Sequence, residues 1–128
     1  MEKIDNSKGQ WYFAEIIIRF EPVERDEAND LRRGTTWGNF HLIKAASPEE
    51  AYTKAEKIGR EHNYTYPSHG REIASVFAGV GNLLPIYEDI EDGAEIMWRD
   101  YGYVSNKTTK KLVSDKAELL AGIKPKKW

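Results

Sequence analysis

Aromatic, histidine and arginine side chains are the residues of this 128-residue chain whose types best suit ligand chemistry. Aromatic rings stack on planar groups, and an arginine guanidinium binds a phosphate or carboxylate through paired hydrogen bonds. One group of these residues is Tyr64, Tyr66, His69 and Arg71, and a second is Trp11, Trp37 and His41. If both groups met at one edge of a sheet, they would form a site for a nucleotide-like or phosphorylated small ligand. The alternative is that Tyr64 and Tyr66 only fill the joint between a helix and a strand.

Tryptophan, tyrosine and arginine also dominate the energetics of protein–protein interfaces, which gives these residues a second interpretation. A sheet face that carries such rings between charged loops is typical of a surface that binds a protein or a second copy of the chain. The residues that we predict to bind a partner are Trp11, Phe13, Trp37, His41, Tyr64, Tyr66, Arg71 and Tyr101.

Motifs for catalysis and for metal binding are missing from the sequence. The chain has no cysteine, which excludes disulfides, thiolate metal ligands and cysteine nucleophiles. It has no Gly-x-Ser-x-Gly motif, and the carboxylates from Glu88 to Asp92 surround a turn, where acid–base catalysis has no enclosed pocket. A zinc site needs three or four ligands, and the histidines are only His41, His62 and His69, so the one alternative is a site that combines His62 and His69 with Glu61 or Glu72. We therefore predict no catalytic residue, no metal and no cofactor, and an enzyme of unknown type is the third interpretation.

Charge and hydropathy exclude two further classes of partner. The formal net charge is −2 and the isoelectric point is near 5.9, whereas nucleic-acid binding requires a concentrated basic surface. No apolar run has the length of a signal-peptide core or of a membrane span. We predict a soluble cytoplasmic protein that contacts neither nucleic acid nor a membrane.

The segment 11–20 is the most strongly strand-forming part of the chain, and its side chains divide by parity. The even-numbered residues are wholly apolar and should face the core: Tyr12, Ala14, Ile16, Ile18 and Phe20. The odd-numbered residues mix aromatic and charged types: Trp11, Phe13, Glu15, Ile17 and Arg19. The mixed face is either a second packing surface or a contact surface for a partner.

A proline and a long charged segment separate this strand from the next one. Pro22 should end the first strand, and residues 23–35 form a charged loop whose length is typical of functional or mobile loops. The second strand, 36–45, is predicted to be antiparallel to the first. Its predicted core-facing residues are Phe40 and Leu42, and its predicted outer-facing residues are Trp37, Asn39, His41 and Ile43.

The clearest local signal in the chain is a helix start at Ser47. Ser47 is a good N-cap, Pro48 suits the first helical position, and Glu50 completes a capping box. The helix should extend over about 48–62 and pack on the sheet through alanines, whose small side chains allow a close approach.

The remainder of the chain is predicted to be mainly strands with a short final helix. Gly79 and Gly81 indicate a bulge or bend, and Asp92-Gly93 indicates a hairpin turn. The predicted segments are an irregular stretch at 63–71, strands at 73–79, 83–87 and 94–104, a segment at 108–113 that pairs back, and a helix at 115–121.

These elements define an α+β fold with a single antiparallel sheet of about five strands. One main helix (about 48–62) and a short C-terminal helix are predicted to pack on one face of it. The predicted organisation is a flexible N-terminus (1–10), a single domain (11–123) and a basic C-terminal tail (124–128).

Short motifs occur in a defined order between residues 11 and 99: Trp11-Tyr12, Leu42-Ile43-Lys44-Ala45, Ser47-Pro48-Glu49-Glu50-Ala51, Val76-Phe77-Ala78-Gly79 and Asp92-Gly93-Ala94-Glu95-Ile96. The ordered set resembles a small bacterial family known only as domain of unknown function 4288. The resemblance implies the one-domain α+β fold, and it implies no activity, cofactor or partner. We predict a non-catalytic binding module of the immunity, inhibitor or accessory type, which recognises a protein or self-associates through the outer sheet face.

Overall fold

The computed structural model describes residues 9–123, which contain four strands and three helices. In chain order the elements are β1 (Gln10–Pro22), β2 (Thr35–Ala45), α1 (Pro48–Arg60), β3 (Tyr64–Ser68), β4 (Arg71–Pro85), α2 (Asn106–Leu112) and α3 (Lys116–Ala121). The predicted basic tail (124–128) and residues 1–8 of the predicted flexible N-terminus lie outside the described residues. Gln10, by contrast, is already the first residue of β1.

The four strands form one antiparallel sheet in the order β2-β1-β4-β3. Helix α1 packs on one side of the sheet, which we call the helix face, and the opposite side is the outer face. The predicted α+β class with a single antiparallel sheet is confirmed. The described residues form four strands rather than about five, because several predicted segments have a different structure.

The hydrophobic core lies between the sheet and α1, and it contains the even-numbered residues predicted for β1. Ile16 and Ile18 are fully buried, since β1 has a neighbouring strand on each side. The buried members of the core are Tyr12, Ala14, Ile16, Ile18, Ile43, Ala45, Ala51 and Ala55, with Phe20, Ile58, Phe77, Val80 and Leu83 packed against them. The predicted core face of β1 is therefore confirmed.

Helix α1 begins at the predicted cap. The Ser47 Oγ accepts a hydrogen bond from the backbone N–H of Glu50 at 3.1 Å, and Pro48 is the first helical residue. The Glu50 carboxylate pairs with Lys54 one turn later, at 3.3 Å, so the structure uses one half of the predicted capping box. Gly59 near the other end is buried against Phe77 of β4, where a Cβ atom would overlap the ring.

Strand β4 is a single long strand where the sequence predicted two segments. Its register against β1 shifts twice, and the shifts leave Ala78 and Gly81 without a partner in β1. A bulge of this kind accommodates an extra residue and bends the strand without ending it. The bend predicted around Gly79 and Gly81 is confirmed.

The prediction that residues 63–71 are irregular is wrong, because they contain β3. Strand β3 pairs with the first residues of β4, from Tyr64 opposite Ser75 to Ser68 opposite Arg71. Its Pro67 has no N–H to donate, and it is tolerated because β3 has a neighbour on only one side.

Two predicted strand segments near the C-terminus are also wrong. Within 94–104, the Asp100 side chain accepts a hydrogen bond from Gly102 N–H at 2.7 Å, and Gly102 has a φ of 84°, which together make a turn that no strand contains. Residues 108–113 lie mostly in α2, because Ser105 caps that helix by accepting a hydrogen bond from Thr108 N–H at 3.2 Å.

The predicted terminal helix is present as α3, and Asp115 is its N-cap. The three residues predicted to pack it, Leu119, Leu120 and Ile123, are more than half exposed. The chain divides into two compact units, one that ends at Met97 and one that begins at Trp98, and the single domain over 11–123 stays a prediction.

Candidate functional site

The pairing of β2 with β1 reverses the faces predicted for β2. Phe13 lies opposite Leu42, and Glu15 lies opposite Phe40. Because residues directly opposite each other in a sheet share a face, Phe40 and Leu42 lie on the outer face and not in the core. Their side chains are 56% and 49% exposed, respectively.

Trp37 and His41, predicted for the outer face, lie on the helix face instead. Trp37 is opposite Ile18, and His41 is opposite Ala14. The Trp37 ring meets the Phe20 ring edge-on, with centroids 5.0 Å apart, and is 56% exposed. The His41 Nε2 atom is buried and has no hydrogen-bond partner among the described residues.

The predicted small-ligand group does not converge. Tyr64 and Tyr66 lie close together on β3, with ring centroids 6.2 Å apart, and Arg71 begins β4 beside them. His41 is on β2 at the opposite edge of the sheet, with two strands between. Tyr101 belongs to the second unit, where the Arg99 guanidinium lies 5.6 Å from its ring.

Trp11 and Phe13 occupy the outer face as predicted. Phe13 is only 5% exposed and stacks on Phe40, with ring centroids 5.0 Å apart. Trp11 is half-buried, and the Lys44 ammonium lies 5.5 Å from its ring. Of the two interpretations of the mixed face, packing therefore holds for Phe13, while its neighbours Phe40 and Leu42 remain open to solvent.

Glu15 lies at the middle of the outer face, over two glycines of the neighbouring strands. A Cβ atom at Gly38 of β2 or at Gly81 of β4 would collide with the Glu15 side chain. The Glu15 Oε1 accepts a hydrogen bond from Asn82 Nδ2 at 2.7 Å. The two glycines thus make room for a carboxylate that lies flat on the sheet.

A second carboxylate, Glu21, is buried at the end of β1 and binds three arginines. Its oxygens lie 3.0 Å from Arg19 Nη2, 2.7 Å from Arg25 Nε and 3.2 Å from Arg32 Nε. The Arg25 contact is an ion pair without a well-aligned hydrogen bond. Arg25 and Arg32 come from the charged loop between β1 and β2, so Glu21 fastens this loop to the sheet.

The arginines determine the ionisation of Glu21. Burial alone would raise the pKa of Glu21, but hydrogen bonds from Arg19 and Arg32, and their positive charges, outweigh burial and hold this pKa below its ordinary value. Gly34 leaves space for the Arg19 guanidinium, which would collide with a Cβ atom there. Sequence reasoning missed this cluster, although three arginines spaced around one glutamate beside Pro22 were a readable signal.

Strand β2 is the longer free edge of the sheet. It has 11 residues and pairs only with β1 among the described strands. Within residues 9–123, the one further hydrogen bond to its main chain runs from Lys54 Nζ to the Lys44 carbonyl at 2.6 Å. Among the described residues the edge from Thr35 to Ile43 is therefore uncapped, and it is flanked by the exposed side chains of Trp37, Phe40 and Leu42.

The opposite edge of the sheet is protected. Strand β3 has five residues and carries Pro67, and short strands with proline are common ways to prevent edge pairing. In β2, from Thr35 to Ile43, there is no proline and no lysine, arginine, aspartate or glutamate. Sequence reasoning missed Phe40 and Leu42 as surface residues, and this uncharged run was the signal that could have identified them.

Two open clefts adjoin the first unit's sheet. One of about 420 Å³ lies between β2 and α1 and is lined by apolar and cationic side chains, among them Ile43, Ile58, Lys54 and Lys57. Another, of about 370 Å³, contains Arg71 together with two carboxylates, which does not favour a phosphate. The carboxylates are Glu24 and Glu72.

Between residues 9 and 123, no cluster of three or more histidine or acidic side chains has an arrangement that could hold a metal ion. In the same range, none of the helices combines the length and the apolar character needed to cross a membrane.

The comparison with known proteins identifies one family. The family model described as Domain of unknown function (DUF4288) matches residues 11–98. The match contains α1 and all four strands except Gln10, the first residue of β1, and it ends beside the boundary between the two units at Met97. No curated protein and no solved structure matches the sequence. Since the match spans more than half of the chain, this protein belongs to the family of domain of unknown function 4288.

Proposed function

We propose that this protein is a non-catalytic recognition module that binds an extended segment of a protein along the edge of β2. The observation that carries the proposal is the uncapped edge from Thr35 to Ile43, with exposed apolar side chains on both of its faces. The immunity, inhibitor or accessory role in the cytoplasm that the sequence suggests is compatible with such a module.

An extended partner strand would bind both the main-chain groups and the exposed side chains of the β2 edge. The unpaired N–H and C=O groups of β2 would bind the partner's main chain and supply affinity. Side chains that alternate along the partner would meet Phe40 and Leu42 on the outer face and Trp37 on the helix face. Aromatic anchors beside a continuous hydrogen-bonding edge are the combination that protein partners use and small ligands do not need.

A photo-cross-linking experiment tests this proposal. A benzoylphenylalanine replaces Phe40 in one variant and Thr65, an exposed residue of the protected edge β3, in the control variant. Both variants are irradiated in an extract of the source organism, and the adducts are mapped by mass spectrometry. We expect adducts within one contiguous segment of one identified protein, from position 40 and not from position 65. Equal adducts from both positions, or none from position 40, would contradict the proposal.

A further inference from the structure

We infer that the segment bound by β2 is the β2 strand of a second copy of this chain, paired antiparallel across a two-fold axis at Asn39. The inference rests on the proposed use of the β2 edge and names the partner. It predicts a dimer with one continuous sheet of both copies' strands and with both α1 helices on the same side.

The charge pattern of β2 is suited to a partner identical with itself. Two copies related by a two-fold axis bring each strand against its own reverse, so a charged residue at the axis would face its own equivalent, and one close to the axis would lie near the same charge of the other copy. From Gly34 to Ile43 there is no aspartate, glutamate, lysine or arginine, and His41 is the one titratable side chain. In the proposed register His41 of one copy lies opposite Trp37 of the other and not opposite its own equivalent.

The position of the axis follows from the occupied end of the strand. Because the Lys54 ammonium already binds the Lys44 carbonyl, the free part of the edge runs from Thr35 to Ile43. The centre of that run is Asn39. A two-fold axis there places Thr35 of one copy opposite Ile43 of the other, so the free edges of both copies are used in full.

The same register matches the two faces of the strands. With Asn39 opposite Asn39, even-numbered residues lie opposite even-numbered residues, which keeps outer face beside outer face. Phe40 then lies opposite Gly38 of the other copy, beside the Glu15 side chain that lies over that glycine. The assembly closes at two copies, because the remaining edges are the β3 strands with their Pro67.

Sedimentation equilibrium of the purified chain from low to high micromolar concentration is the first test. We expect the mass of a dimer that dissociates on dilution. Asn39→Lys places two ammonium groups directly opposite each other at the axis, so we expect the dissociation constant to rise by about tenfold or more. Thr65→Lys, the matched control on β3, should leave it unchanged. Thermal unfolding of both variants checks that they are folded.

The absence of cysteine gives a second test that does not depend on a destabilised interface. Directly opposed Cα atoms of antiparallel strands lie about 4.5 to 5.5 Å apart, within the range that a disulfide spans. Asn39→Cys should therefore form an interchain disulfide on mild oxidation, and Thr65→Cys should not.

The outcomes separate this inference from the proposed function. A monomeric mass at every concentration would show that the partner is not a second copy of this chain. The proposed function would then be tested only by the photo-cross-linked adducts from position 40. A dimer that neither weakens with Asn39→Lys nor cross-links through Asn39→Cys also overturns the inference, because its interface lies elsewhere.

Discussion

Phe13 and Phe40 stack on the outer face with their ring centroids 5.0 Å apart and their planes inclined by 24°. Phe13 belongs to a central strand and is buried, while Phe40 belongs to an edge strand and is exposed. The pair therefore fastens β2 to the sheet on the same face that stays open to a partner. Phe40 contributes both to the stability of the fold and to the proposed interface.

A double-mutant cycle of Phe13→Leu and Phe40→Leu measures the coupling free energy between the two rings. Stacked aromatic pairs contribute about 1 kcal/mol beyond the burial of their area, so we expect a coupling free energy of that size in urea unfolding. Phe13→Leu should cost more stability than Phe40→Leu, because Phe13 is 5% exposed and Phe40 is 56% exposed. A coupling near zero would show that the stacked geometry does not persist in solution.

Ile16→Asp should prevent folding, because it buries an unpaired carboxylate in a central strand at a position with 0% exposure. Circular dichroism should show loss of the sheet signal. Ile16→Val, the conservative control, should cost only about 1 kcal/mol.

Trp37→Ala should also remain folded, with a loss of about 1 kcal/mol from its edge-on contact with Phe20. Equal destabilisation by Ile16→Asp and Trp37→Ala would contradict their difference in burial.

Glu21→Gln should destabilise the protein at neutral pH by about 3 kcal/mol, because it removes the buried negative charge that pairs with three arginines, from a side chain that is 2% exposed. Urea unfolding measures the loss. Glu27→Gln is the matched control, since Glu27 pairs with Arg25 at 2.9 Å from a side chain that is 70% exposed. It should change the free energy of unfolding by less than about 1 kcal/mol.

The pH dependence of Glu21→Gln provides a second measurement of the same cluster. The folded pKa of Glu21 lies below its ordinary value of 4.5, so the ionised carboxylate stabilises the fold above pH 4.5. This contribution is lost as the pH falls through the lowered folded pKa. The stability difference between wild type and Glu21→Gln should therefore shrink on acidification below pH 4.5. A difference that stays constant would show that Glu21 does not titrate in this way.

Gly59→Ala should destabilise the domain, although alanine is favoured over glycine inside a helix by about 1 kcal/mol. The added Cβ would overlap the Phe77 ring, and α1 would have to move away from β4. Thermal unfolding should show a lower midpoint for Gly59→Ala and a partial recovery for the double variant Gly59→Ala/Phe77→Leu. A higher midpoint for Gly59→Ala would mean that the Phe77 ring moves aside at little cost.

Local patterns in the sequence were sufficient to predict the core face of β1, the start of α1 and the bend in β4. The alternation in 11–20 identified the core face of β1, and Ser47 with Pro48 identified the start of α1. Such features depend on neighbouring residues and on a strand period of two, which do not change with the surrounding structure. The bend near Gly79 and Gly81 was also readable, since glycines in a strand indicate a bulge.

The faces of β2 were decided only by the tertiary structure. Both parities of β2 contain apolar residues, so its alternation does not select a core face. The selection is made by the register with β1, and a slip of one residue moves every side chain to the other face. The candidate site depends on this register, because it places Phe40 and Leu42 on the outer face and Trp37 on the helix face.

The sequence by itself determined that the chain forms an α+β domain organised on the strand 11–20, because burial of its even-numbered apolar face requires a covering helix. Only the tertiary structure decided what the other face and the neighbouring strand present to solvent. Phe13 is buried, Glu15 lies over two glycines, and no residue of the described range 9–123 caps the edge of β2 from Thr35 to Ile43. These features join residues far apart in the chain, and strand order and register exist only once the sheet has formed.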